Sequence, residues 1–223
     1  MSKRVLLACL AALALCSEAR AITFLTTQFH VTAVTTADGA APGVDSESGP
    51  PSPTPVSASA DSVGAANIAT AGAIGAPGLL TASADASAVN GIASAVGTSH
   101  FFGTFMMSAA EPFLVLDFTP TTFASGSGLA SASLFALLSA GATTLYEDLV
   151  TGPWRFNLAP GITYSLDLTL TSDASAGFPA GVGDASSFGL VAITSAVPLP
   201  STWLLLLAGL GPIVMRKRAG QAA

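Results

Sequence analysis

The sequence predicts an all-β protein, an antiparallel β-sandwich of jelly-roll type, with an N-terminal signal peptide and a C-terminal transmembrane helix. Three observations lead there. Ile162, Tyr164, Leu166, Leu168 and Leu170 alternate with Thr163, Ser165, Asp167, Thr169 and Thr171, the mark of a strand with one core face and one wet face. Other short apolar runs recur between clusters of Gly, Pro, Ser and Thr, as strands between turns do. No helical pattern alternates with these runs, which favours antiparallel sheets over a βαβ architecture.

At the start, Lys3 and Arg4 precede an apolar run from Val5 to Cys16, and Ala19-Arg20-Ala21 has a small-x-small form. This is the layout of a secretory signal peptide over residues 1–21, too short to span a bilayer. Cleavage is expected after Ala21, with Ala19 and Ala21 as the small residues that signal peptidase reads. Cys9 and Cys16, the two cysteines of the chain, leave with the signal. The bulky Leu15 argues against lipidation at Cys16. The mature chain then has no thiol for a disulfide or for a Cys-based metal or redox site.

Residues 22–196 form the expected exported domain. Ile22 to Thr36 mixes Thr with apolar residues, a β-branched enrichment that predicts a strand ended by Asp38-Gly39. Residues 39–55 carry Pro42, Pro50, Pro51, Pro53 and Pro55 among Gly, Ser and acidic residues. Such a composition buries little apolar surface and predicts a Pro-rich surface loop.

Residues 56–99 are mostly Ala, Ser, Gly and Thr, yet period two persists. Ala82, Ala84, Ala86 and Ala88 alternate with Ser83, Asp85 and Ser87, and after Asn90-Gly91 the residues Ile92, Ser94 and Val96 alternate with Ala93, Ala95 and Gly97. Asn-Gly between alternating runs predicts a hairpin. Ser83-Ala84-Asp85 also echoes Ser59-Ala60-Asp61, a similarity that alanine-rich sequence produces by chance and that does not by itself establish a repeat.

From His100 large apolar residues become frequent. His100 to Met107, Pro112 to Phe118, Ala132 to Ser139 and Thr143 to Val150 have strand length, with Phe113 to Phe118 apolar enough to be central. Leu129 to Ala140 is also compatible with a helix by composition. Trp154, Phe156 and Leu158 alternate with Arg155 and Asn157, and Pro160-Gly161 turns the chain into the strand from Ile162. A Gly-rich loop is expected over Ser172 to Ser186, followed by a last strand over Ser187 to Ile193.

The end of the chain is an address. Val197-Pro198-Leu199-Pro200 precedes an apolar run from Trp203 to Met215, and Arg216, Lys217 and Arg218 follow consecutively. No charge lies between Asp184 and Arg216, so a helix starting near Ser201 approaches the roughly 20 residues that span a bilayer. The basic triplet marks the cytoplasmic side and sets the domain outside the cytoplasm. A soluble amphipathic helix would show a polar stripe, whereas Trp203 to Leu207 is apolar all round.

These residues resemble the PEP-CTERM sorting tail of Gram-negative bacteria. Val197, Pro198 and Pro200 match its motif, 203–215 its membrane segment and 216–218 its basic end. Leu199 stands where the family usually has Glu, and Pro212 interrupts the apolar run with a residue that kinks a helix. The resemblance covers residues 197–218 alone. It implies recognition and cleavage by an exosortase, an inner-membrane precursor, and export to the cell envelope or the extracellular space, often in organisms that make extracellular polysaccharide.

Residues 22–196 contain twelve acidic residues and one basic residue, Arg155. That balance disfavours nucleic acid and anionic headgroups. Catalytic candidates are few. His30 and His100 are the only imidazoles, and a transition-metal site would need both plus carboxylates, so they are assigned to core or edge positions. No Gly-x-Ser-x-Gly elbow offers a nucleophile. Glu111, Asp117, Glu147 and Asp148 are weighed for glycoside cleavage, but Glu147 and Asp148, adjacent on a strand, face opposite ways. Asp38, Asp45 and Glu47 are weighed for calcium without a matching loop pattern. Gly126-Ser127-Gly128 lacks a phosphate-loop lysine.

The expectation is therefore a non-enzymatic exported protein with no catalytic residue, no metal and no cofactor. Its expected partners are signal peptidase, exosortase and the membrane. The alternative is a carbohydrate-binding module for extracellular polysaccharide, with Trp154, Tyr146 or Tyr164 stacking on sugar rings.

Overall fold

The computed structural model describes residues 19–50, 55–64, 66–76, 78–177 and 182–196. Its strands are β1 (Ala19–Ala21), β2 (Phe24–Ala37), β3 (Gly43–Gly49), β4 (Val56–Val63), β5 (Asn67–Ala76), β6 (Leu79–Ala88), β7 (Ala93–Met106), β8 (Phe113–Gly126), β9 (Leu129–Ala140), β10 (Thr143–Val150), β11 (Trp154–Asn157), β12 (Thr163–Ala176) and β13 (Gly183–Ala196). They build the expected antiparallel sandwich. One sheet has the order β11-β8-β13-β6-β5-β4, with β1 against the end of β13, and the other has the order β10-β9-β12-β7-β2-β3.

The last eight strands are nested. β6 pairs with β13, β7 with β12, β8 with β11 and β9 with β10, as in one long hairpin whose halves have been broken into four arms. Wrapping pairs β8 with β13 and β9 with β12 as well, which delivers four strands to each sheet. β2 and β3 then extend one sheet beyond β7, and β4 and β5 extend the other beyond β6.

Three expectations are corrected, and one alternative left open is decided. Asn90-Gly91 does not close a hairpin, because β6 and β7 lie in different sheets and the dipeptide turns the corner between them. A type I′ turn needs positive φ at both positions; Gly91 has φ +124, while no described non-glycine residue has a positive φ. Within the expected 39–55 loop, Gly43–Gly49 is strand β3, polar because it is an edge with exposed side chains. The 172–186 loop shrinks, since β12 continues to Ala176 and β13 begins at Gly183. Leu129–Ala140, open between helix and strand, is strand β9.

Side-chain size is graded along the strands. On the inner face of the second sheet, Ala37, Ala93 and Ala176 share one row and Thr35, Ala95 and Ala174 the next, whereas Phe29, Phe101 and Leu168 fill a later row. The facing sheet follows the same gradient, from Ala69, Ala86 and Ala185 to Leu80 and Val191. All these residues are buried. The large end supplies most of the apolar burial, at about 25 cal/mol per Å².

At the small end the sheets come close enough to touch through backbone. A Cβ on Gly97 would overlap Gly72 O and Ser83 O of the opposite sheet. Buried hydroxyls bridge the gap: Ser99 Oγ donates to Thr81 O at 2.6 Å, and Ser172 Oγ donates to Ala82 O at 2.9 Å. A carbonyl has two lone pairs, so these contacts need not displace the ladder bonds. The echo of Ser59-Ala60-Asp61 in Ser83-Ala84-Asp85 falls in this region, with Asp61 and Asp85 on either side of Thr70 in one row.

The two lateral openings are closed differently. Between β3 and β4, the Asp45 and Glu47 carboxylates accept from Ser59 N and Ser57 N, both at 2.9 Å, and so occupy donors that an open edge would present to another chain. Between β10 and β11, Tyr146, Trp154 and Phe156 pack together, with ring centroids 4.6 Å apart for Tyr146–Trp154 and 5.3 Å for Tyr146–Phe156. Pairing with β11 reaches only from Phe113 to Leu116. Beyond it Pro120, which has no N–H to offer, interrupts the free side of β8.

Candidate functional site

Val197, Pro198, Leu199 and Pro200, the segment 203–215, and Arg216, Lys217 and Arg218 lie outside the described residues, as do 1–18. Among the described residues no helix is long and apolar enough to cross a membrane. The described boundaries are nevertheless placed. Ala19, Arg20 and Ala21 pair with Ala196, Ser195 and Thr194, so the expected signal-cleavage position and the residue preceding the Pro-x-Pro segment stand on neighbouring strands. β13 keeps β8 on its other side through Thr194 to Ala196, and its end therefore remains paired if β1 is removed.

The three aromatics expected to hold sugar are differently placed. Tyr164 is buried and donates its hydroxyl proton to Ala159 O at 3.2 Å. Tyr146 and Trp154 are half-buried and packed against the core. Their rings tilt by 49°, so they present no shared flat platform. Burial and then the nearby Asp148 carboxylate push the Tyr146 phenol above its usual pKa. Two phenylalanines not considered as candidates do face out. Phe123 and Phe188 are 61% and 40% exposed, and the register Phe123↔Ser186 and Phe188↔Thr121 makes them diagonal neighbours across β8 and β13. Beside Phe123 a concavity of about 230 Å³ is lined by Ile68, Thr70, Asp85, Ser87 and Asp184. Ser87 Oγ donates to Asp184 Oδ1 at 2.7 Å. Their strand parity was readable, but the pairing of β8 with β13 that assembles the patch was not.

The carboxylates weighed for catalysis or calcium are occupied separately. Asp38 Oδ2 accepts from Ile92 N at 3.0 Å and braces the corner after Gly91. Asp45 and Glu47 bind β4. Glu111 Oε2 accepts from Ser195 Oγ at 3.0 Å, and Asp148 Oδ1 accepts from Leu149 N at 2.7 Å. Glu147 and Asp117 are exposed. Ser127 of the Gly-rich turn accepts from Gly177 N at 3.1 Å and ties two loops.

The two histidines meet. His30 of β2 lies directly opposite His100 of β7 on the outer face of the second sheet. Asp167, one strand further, places Oδ1 at 2.8 Å from His100 Nε2. Among the described residues no group of three or more His, Cys, Asp and Glu side chains has the arrangement to hold a metal ion. Comparison of the chain with protein-family models, curated proteins and solved structures finds no match.

Proposed function

We propose that the protein is a non-enzymatic component of the cell envelope or extracellular matrix. A signal peptide exports it, and a Pro-Leu-Pro variant of the PEP-CTERM sorting tail delivers it. The nested eight-strand order supports classing the scaffold as jelly-roll-like. The observation that carries the proposal is the adjacency of Ala19–Ala21 to Thr194–Ala196. Ala19–Ala21 and Thr194–Ala196 stand side by side at one corner of a sandwich whose outer faces carry hydroxyls, such as the row Ser46, Thr32, Thr98, Thr171 and Ser133. A precursor tethered at that corner holds the rest of the domain clear of the bilayer, and cutting near Pro198 releases it.

Replacing Pro198 and Pro200 together tests this in a host with an exosortase. The expected result is a chain that keeps its C-terminal segment and stays anchored in the inner membrane, while the parent is released. Equal release of both would count against processing at the motif.

A second reading, a polysaccharide-binding module, is favoured by Phe123 and Phe188 on one outer face. Aromatic faces stack on sugar rings, and Asp85, Asp184 and Ser87 beside them would serve sugar hydroxyls. Affinity electrophoresis through host polysaccharide, with Phe123→Ala and Phe188→Ala, distinguishes it: retardation of the parent lost in both variants supports binding, and unretarded parent removes the reading.

A further inference from the structure

We propose that His30 and His100 form a two-imidazole site for a borderline divalent transition-metal ion, with Asp167 positioning one of the ligands. The chain contains only two histidines, and the register sets them directly opposite each other on one face of the sheet. Directly opposed residues of an antiparallel pair have Cβ atoms about 4.5–5.5 Å apart. Two imidazoles so spaced reach a common ion at metal–nitrogen distances of about 2.0–2.1 Å.

Asp167 adds a second, independent indication. Its Oδ1 lies 2.8 Å from His100 Nε2. An ionised carboxylate only accepts, so in the neutral ring this contact selects the tautomer with the proton on Nε2 and the lone pair on Nδ1. A carboxylate on one ring nitrogen is the usual means of fixing the tautomer and raising the basicity of a metal-binding histidine. Both histidines also line a concavity of about 320 Å³ with Gln28 and Ser48. Competing positive charge is remote. Arg155, the one basic residue of 22–196, lies over the Phe113 ring at 3.8 Å in the other sheet.

Because no third His, Cys, Asp or Glu ligand converges there among the described residues, the remaining positions fall to water, and the site is open and exchangeable. Imidazole donors without thiolate suit Cu²⁺, Ni²⁺ and Zn²⁺, and disfavour Mg²⁺ and Ca²⁺. The expected order is Cu²⁺ above Ni²⁺ and Zn²⁺.

Calorimetric titration of the exported protein with CuCl₂, ZnCl₂ and CaCl₂ in separate experiments tests the site. One Cu²⁺ or Zn²⁺ per chain is expected, and no saturable Ca²⁺ binding. His30→Ala and His100→Ala should each weaken Zn²⁺ at least about tenfold, and Asp167→Asn about 10–100-fold with the stoichiometry unchanged. Thr32→Ala, one row away on the same face, should bind as the parent does. Should a variant fail to fold, electron paramagnetic resonance of Cu²⁺ on the parent decides, with coupling to two imidazole nitrogens expected. Parent affinity matched by the double His variant, or coupling to fewer than two nitrogens, would overturn the proposal.

Discussion

Asp45 accepts through Oδ2 a hydrogen bond of 2.9 Å from the backbone N–H of Ser59, although the two residues belong to edge strands of different sheets. Glu47 repeats the contact with Ser57 N two residues on, also at 2.9 Å. Together they stitch one side of the sandwich where no ladder continues. The Asp45→Ala/Glu47→Ala double variant should lose about 1 kcal/mol per bond and expose a pairing-competent edge. Sedimentation velocity should then show concentration-dependent association absent from the parent, whereas Ser46→Ala, on the other face of β3, should sediment as the parent does.

The buried serines divide by partner. Ser99→Ala removes hydroxyl contacts to Thr81 O at 2.6 Å and Ile74 O at 3.2 Å, and should destabilise by about 1–2 kcal/mol. Among the described residues the Ser187 hydroxyl is buried with no hydrogen-bond partner, so Ser187→Ala should be neutral or stabilising. Chemical denaturation of both variants checks the pair, and a larger loss from Ser187→Ala would contradict this account of the thin end.

The close approach of the sheets makes Gly97 a sharp probe. Gly97→Ala drives a Cβ into Gly72 O and Ser83 O, and backbone cannot move aside as a side-chain tip does. A loss of about 1–3 kcal/mol is expected. Gly152→Ala meets nothing within 4 Å and should stay within about 0.5 kcal/mol. Parity between the two in thermal melts would mean that the sheets stand further apart.

Register in β12 is tested by neighbours of opposite aspect. Leu168 is fully buried and Thr169 faces outward. Leu168→Asp places an unpaired charge in the core and should cost more than about 4 kcal/mol. Thr169→Asp should cost less than about 1 kcal/mol. Similar midpoints for the two in urea would refute the assignment of faces.

What was legible in the sequence follows from which rules are local. Alternation over Ile162–Thr171 is a local consequence of one dry and one wet face, and its assignment holds residue by residue from Thr163. The same alternation runs on through Ser172, Asp173, Ala174, Ser175 and Ala176, but small residues made it resemble a loop. Asn90-Gly91 announced a turn correctly and its destination wrongly, because a dipeptide does not determine which sheet receives the chain. Gly43–Gly49 was hidden for a different reason. An edge strand held by its own carboxylates to another backbone needs no apolar pattern. The meeting of His30 with His100, and of Phe123 with Phe188, depends on register between distant strands, which no single stretch encodes.

The most direct test of the central proposal is the intact mass of the protein recovered from its native host, which fixes both ends of the chain at once. The account predicts an amino terminus at Ile22 and a carboxy terminus near Val197 to Pro200, with the apolar segment and Arg216, Lys217 and Arg218 absent. A mass spanning Met1 to Ala223 in the exported fraction would contradict it.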